Sequence, residues 1–352
     1  MASGWHRSLS SPVKLGCTFL LVLGSPSLLA QALSEGTAAG YLQRPVGARS
    51  LGLVGSYTAV ANEPMGLFAN PSISAWFMPK PAFGLSISLL GLGRTYTSFA
   101  YAQAIGNGFG IGAGVQSFSA GSFIARDLNG EPLGEHTPHD LAISLSGSFR
   151  WNFLSVGVTG KYLWSGLVGA GISASGAAAD IGALFHVADL FSFGVTARNL
   201  GAFLQWENHR APLPLAISAG VATEVHFAPR ISRRRSPITG EEYVVRLPSE
   251  RYLLLALELR YGQTTRRPSL CAAAEVIPLP GFALRGGAII FGDELGRARW
   301  FPIDRIGGGI SVQLPMIGAL PIGLQMDYAL THEYTSPSRL AHTVGLTVQL
   351  TQ

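Results

Sequence analysis

Hydrophobic and polar positions alternate along much of this chain. Leu141, Ile143, Leu145, Phe149 and Trp151 share one parity, and Ala142, Ser144, Ser146, Ser148 and Arg150 share the other. Successive side chains of a strand point to opposite faces, so this spacing predicts a β-strand with one apolar face and one small or polar face. The pattern restarts at once: Leu154, Val156, Val158, Tyr162 and Trp164 alternate with Ser155, Gly157, Thr159 and Lys161. Only Asn152-Phe153 is left to turn the chain, which predicts a hairpin. Ile322 to Leu330 and Val344 to Leu350 repeat the rule near the C-terminus.

Applied to the whole chain, the alternation predicts fourteen strands. The first seven lie near 84 to 90, 95 to 105, 108 to 118, 140 to 151, 153 to 164, 177 to 187 and 190 to 198. The second seven lie near 213 to 227, 251 to 261, 269 to 276, 282 to 291, 305 to 314, 321 to 331 and 341 to 350. Two architectures accommodate such strands: a soluble sandwich, with the polar face in water, and a transmembrane barrel, with the apolar face in lipid. The polar face here is Ser, Gly, Thr and Ala rather than Lys and Glu, which suits a crowded lumen, and Tyr and Trp gather at segment ends as in an aromatic girdle. The sequence therefore predicts an all-β fold, an antiparallel transmembrane β-barrel of about fourteen strands.

Connections after odd-numbered strands tend to be long (119 to 139, 165 to 176, 199 to 212, 292 to 304), and several after even-numbered strands are short. This is the asymmetry of external loops and periplasmic turns. One segment departs from it. Residues 228 to 250, with Arg230, Arg233, Arg234, Arg235, Glu241 and Glu242, follow an even-numbered strand, and parity assigns them to the periplasm. They read as a solvated mobile loop, or alternatively as a docking site for an acidic periplasmic or lipid partner.

The N-terminus changes the compartment. Arg7 and Lys14 precede an apolar run from Leu15 to Leu29 that ends in Ala30-Gln31-Ala32, the form of a cleaved signal peptide over residues 1 to 32. Removing it leaves 23 of the 25 Lys and Arg against 20 Asp and Glu, a net charge of only +3, too sparse for a nucleic-acid surface. The remaining chain has the single cysteine Cys271, so it forms no internal disulfide.

Catalytic chemistry finds little support. His136, His139 and Asp140 are close in sequence, but Pro138 intervenes and the segment reads as loop without a preformed geometry, so no metal site is expected. No Gly-x-Ser-x-Gly elbow occurs, and neither an enzymatic role nor a cofactor is expected. Lys161, Asp180, Arg285 and Asp327 are strand charges that lipid would penalise, by about 2 to 4 kcal/mol for a basic residue at midplane. They are expected to face the lumen, paired with one another or holding a plug.

About fifty residues between the signal and the first strand lack alternation. They include Gly47-Ala48-Arg49-Ser50, Gly55-Ser56-Tyr57-Thr58-Ala59-Val60-Ala61 and Asn70-Pro71-Ser72. Pro64 and Pro71 are expected to break any helix there. The run resembles the plug signature of the FadL-like barrels, the long-chain fatty-acid transporter family with its PorV/PorQ branch. Similarity continues in Gly160-Lys161-Tyr162, Ala179-Asp180-Ile181-Gly182, Asn199-Leu200-Gly201, Leu284-Arg285-Gly286-Gly287 and Asp327-Tyr328-Ala329.

The resemblance implies a hatch over residues 33 to 82 inside a barrel of residues 83 to 352, in the bacterial outer membrane. It also implies passive uptake of long-chain fatty acids or other hydrophobic nutrients; the alternatives are a PorV-like secretion-linked protein and a structural or adhesive one. Leu67, Phe68, Asn70 and Pro71 are the expected hatch and ligand-path residues, with Asn70-Pro71 singled out by the resemblance alone.

Overall fold

In a computed structural model the chain is described over residues 37–352, apart from 61–62, 77–79, 107, 188–189, 228–229, 236–241, 248–251, 263–267, 292–302, 304, 315–321, 333–338 and 351–352. The expected signal peptide lies outside the described residues. The strands are β1 (Ala82–Gly91), β2 (Arg94–Ile105), β3 (Phe109–Ser119), β4 (Phe123–Arg126), β5 (Pro132–Trp151) and β6 (Leu154–Val168). There follow β7 (Ile172–Val187), β8 (Phe191–Gln205), β9 (Arg210–Pro212), β10 (Ala216–His226), β11 (Arg230–Arg235) and β12 (Glu242–Leu247). The last are β13 (Tyr252–Gly262), β14 (Pro268–Leu279), β15 (Phe282–Phe291), β16 (Arg305–Leu314), β17 (Ile322–His332) and β18 (Leu340–Leu350).

Fourteen of these, all but β4, β9, β11 and β12, pair antiparallel in a ring. The ring closes where β1 meets β18, with Ala82 opposite Gln349 and Leu89 opposite His342. The Leu350 N–H donates to the Pro81 carbonyl at 3.3 Å, so the chain enters and leaves the barrel at one rim. Closure satisfies every ladder without an edge, which is what a hydrocarbon environment demands.

The alternation resolves in favour of the barrel because the large apolar residues are outside. In β1, Leu85, Ile87 and Leu89 are exposed while Ser86 and Ser88 are buried. In β5 and β6, Leu145 is 68% and Val158 60% exposed, whereas Ser144 and Thr159 are inside at 1% and 2%. A sandwich would reverse these values. Phe109, Phe149, Trp151, Phe153, Phe185 and Phe191 are all exposed at the ends of β2 to β3, β5 to β6 and β7 to β8, forming an aromatic belt at the rim that bears the chain ends. Phe109 packs on Phe149, and Phe153 on Phe185, each at 4.8 Å between ring centroids. No helix among the described residues is long and apolar enough to cross a membrane. A closed barrel, apolar outside and aromatic at its rim, is an outer-membrane architecture, and the protein resides in the bacterial outer membrane.

The long connections are more ordered than expected. Residues 119–139 are largely strand: β5 begins at Pro132, and β4 pairs back on it, with Phe123 opposite His136. His136, His139 and Asp140 therefore lie on a strand and not in a loop. His136 packs on Phe123 and His139 on Trp164, so the two imidazoles point to different neighbours. Residues 199–212 are likewise occupied by the end of β8 and by β9. The 228–250 segment is not an open loop: β11 and β12 pair as a separate two-stranded sheet, with Arg235 opposite Glu242. In each case backbone groups outside the bilayer satisfy themselves by pairing, a saving that side-chain polarity does not advertise.

Candidate functional site

The described residues between 37 and 76 lie inside the ring. Short helical turns at Gly40–Gln43, Ala48–Gly52, Pro64–Phe68 and Pro71–Trp76 make up most of the segment. Pro64 and Pro71 open two of these turns instead of ending them, because the first helical position needs no N–H donor. Gly47 and Gly55 hold φ of 92° and 81°, where a side chain would be strained. The 48–52 turn packs on β15 to β18, the 64–68 turn on β1 to β3, and the 71–76 turn on β2, β3, β5, β6 and β7.

The wall is shaped to receive this segment. Gly157 lies against the Pro71 backbone, where an added Cβ would fall 2.5 Å from its carbonyl carbon. Gly182 lies under Asn70, and Gly110 under Ser74 and Ala75. Asn70 is itself fully buried: its amide donates to the Thr58 carbonyl at 2.8 Å and the Ala183 carbonyl at 3.1 Å, while its Oδ1 accepts from Ser72 N at 3.1 Å. Asn70-Pro71 thus ties the segment to β7. The Trp76 indole donates to Ser155 at 2.7 Å, and the Arg150 guanidinium stacks over its ring at 4.7 Å.

Charged groups make the remaining ties. Arg49 and Glu275 form a two-pronged pair, Nε to Oε2 at 2.8 Å and Nη2 to Oε1 at 2.6 Å, both residues buried. Arg285 lies 3.0 Å from the same Oε2 and pairs with Asp327 at 2.9 Å, with Ser311 bridging Arg285 and Asp327. Glu258 accepts from Tyr57 N and Thr58 N at 2.8 and 2.9 Å, and Arg260 pairs with Glu258 while donating to the Gly55 carbonyl at 2.7 Å. Lys161 pairs with Asp180 at 2.6 Å and donates to Asn199 at 3.0 Å, and Asn199 N donates to Asp180 at 2.8 Å.

Of the charges expected in the lumen, Lys161–Asp180 and Arg285–Asp327 are thus two buried ion pairs. Sequence reading missed Arg49, Glu258, Arg260 and Glu275. For Glu258, Arg260 and Glu275 the signal is a charge on the polar parity of an otherwise apolar strand, as in Leu257-Glu258-Leu259; Arg49, in the 48–52 turn, carries no such signal.

Burial also lifts the Glu63 carboxyl, with the Arg49 guanidinium opposing the shift, to a pKa of about 7. A carboxyl raised above its unfolded value near 4.5 binds its proton more tightly when folded, so its stabilising contribution is complete below about pH 4.5 and is lost as pH rises through about 7. The segment should therefore sit more firmly at pH 5 than at pH 8, and Glu63→Gln should abolish this difference. Proteolysis of the segment in detergent-solubilised barrel, followed across that range, checks it; equal pH dependence in both proteins would refute the assignment.

Leu67 and Phe68 occupy a different environment. They belong to a buried apolar cluster with Tyr41, Leu42 and Val46 of the same segment and Leu90, Tyr96, Leu163, Leu204 and Leu213 of the wall. The wall members lie toward the rim of the long connections, where Tyr41 also stacks on Phe118 at 5.8 Å. The Phe68 ring fits against Gly114, and Leu67 against Gly112. Below Leu67 and Phe68, Ser74 is bonded to Ser148 at 2.7 Å, and a second buried apolar cluster joins Leu53, Tyr57 and Val60 of the segment to Leu184 and Leu254 of the wall.

No family profile and no curated protein matches this chain. Solved structures do. A Pseudomonas aeruginosa FadL homologue superposes with a TM-score of 0.51 at 10% identity, covering 87% of this chain and 98% of the other. The P. putida toluene transporter TodX gives 0.50 at 11% identity, covering 87% and 97%. The fold is that of the FadL-like barrels. At this identity the likeness speaks for architecture, and it accords with the fourteen-strand ring and the filled lumen described above.

Proposed function

We propose that the protein is a FadL-like channel for passive uptake of hydrophobic molecules across the outer membrane, with residues 37–76 as its hatch. The observation that carries this reading is the apolar cluster reaching from Tyr41 and Leu213 to Leu67 and Phe68. A water-filled barrel lines its lumen with polar groups. This one lines the external half with aliphatic and aromatic side chains, which lowers the free energy of an apolar solute by about 25 cal/mol per Å² removed from water. The solved structures of like fold include a toluene transporter and a FadL homologue, which supports the same class of cargo. Long-chain fatty acids are the cargo we favour within that class.

Phe68→Ala should weaken binding of a long-chain fatty acid by about 1 to 3 kcal/mol, because the ring closes the apolar cluster from below. Barrel assembly should survive, since the strand ladders are untouched. Fluorescent fatty-acid binding to the purified barrel checks this, with retained heat-modifiable gel mobility as the control for folding. Equal binding in both proteins would move Phe68 off the path. Absence of affinity for either fatty acid or toluene would favour the secretion-linked alternative, in which the lumen conducts no small apolar solute.

A further inference from the structure

Arg198 is 8% exposed and lies within the field of Asp180 and Glu258 without a carboxylate of its own in contact. Its Nη1 donates to the Phe68 carbonyl at 3.1 Å, and its buried Nε has no hydrogen-bond partner. The neighbouring charges are already matched, Arg260 with Glu258 and Lys161 with Asp180. Among the described residues no carboxylate pairs with Arg198. A buried cation without a contacting counter-ion is costly, and a guanidinium offers a planar fork suited to two oxygens of one anion.

Register surrounds this fork with further donors. On β8 the residue two before Arg198 is Thr196, opposite Ser218 of β10, which in turn faces Arg260 of β13. Thr196 and Ser218 are buried, and neither hydroxyl has a hydrogen-bond partner. A small cavity lies between Gly55, Thr58 and Ala69 of the lumen segment and Arg198, Glu258 and Arg260 of the wall, so Arg198 and Arg260 join it to this row of hydroxyls. A small seam lined by two guanidiniums, with orphaned hydroxyls on the same strand faces, is the complement of a small anion.

We propose that this seam is an oxyanion site, with Arg198 as the principal ligand and Arg260, Thr196 and Ser218 as supporting donors. Its ligand is a carboxylate or phosphate group. Two sources present that chemistry, a free small anion resident between segment and wall, and the headgroup of an amphipathic solute. The site does not depend on the uptake reading, because a neutral hydrocarbon would pass without engaging it.

The test is calorimetric titration of the intact barrel in non-ionic detergent with acetate, with inorganic phosphate and with octanoate. At least one should bind saturably, and Arg198→Gln should weaken it about tenfold or more, as loss of a charge-assisted bond predicts. Saturation by acetate or phosphate identifies a free ion as sufficient; saturation by octanoate alone identifies a tail-bearing headgroup. No saturable binding in any arm, or binding unaltered by Arg198→Gln in a barrel of normal gel mobility, overturns the proposal. Should Arg198→Gln not fold, the doubly substituted Thr196→Val, Ser218→Ala barrel keeps the charge, and the same titration should show several-fold weaker binding; unchanged affinity there also overturns it. Fatty-acid or toluene uptake persisting through either failure would leave the channel reading standing.

Discussion

Glu275→Ala should unseat the lumen segment and turn a closed barrel into a leaky one. Glu275 is 1% exposed and faces two guanidiniums, Arg49 of the segment and Arg285 of the wall. Removing the carboxylate leaves Arg49 without its two-pronged partner and Arg285 with Asp327 alone. Breaking a buried pair from one side typically costs about 3 to 5 kcal/mol, because an uncompensated charge remains. The barrel ladders do not depend on that pair, so the strain should discharge by displacing the 48–52 turn and not by unfolding the wall. Liposome swelling with a small sugar should rise well above wild type while heat-modifiable mobility is retained. The double substitution Arg49→Met, Glu275→Leu removes both charges of the pair and should recover much of the closure. A Glu275→Ala barrel as tight as wild type would show that the ion pair does not seat the segment.

Gly157→Ala is the second large effect, and it acts through volume rather than charge. The added methyl would lie 2.5 Å from the Pro71 carbonyl carbon and 2.6 Å from Ser72 N, and neither backbone can yield without moving Asn70. Overpacking of this kind costs typically about 1 to 3 kcal/mol, and backbone atoms on both sides place this case toward the upper end. Asn70 would then lose its bonds to Thr58 and Ala183, so the Asn70-Pro71 tie should open. The expected result is increased swelling with a small sugar and faster proteolysis of residues 64–76. Gly160→Ala, which has open space at the same strand's outer face, supplies the control and should change neither. Identical behaviour of the two variants would remove the close-approach argument.

The sequence by itself determined the wall. Alternation with period two is written by each strand about itself, so all fourteen barrel strands were legible, including the Asn152-Phe153 turn and the small, uncharged character of the inner face. Alternation alone does not say which face is inside, but Ser and Gly in place of Lys and Glu pointed to a lumen, and the exposure of Leu145 beside the burial of Ser144 agrees. An ion on a strand otherwise bound for lipid has one tolerable direction, and Lys161, Asp180, Arg285 and Asp327 are each buried.

What only the tertiary structure decided is who meets whom across the lumen. Arg49 and Glu275 are 226 residues apart, and no local spacing links them. The ordered external hairpins were missed because backbone pairing beyond the bilayer carries no hydrophobic period, as β4 on β5 shows. The unmatched state of Arg198 was invisible too, since it depends on Glu258 and Asp180 being taken by other partners. A strand's pattern records its two environments, lipid and lumen, but pairing inside the lumen is set by register and closure around the ring, which are properties of all fourteen strands together.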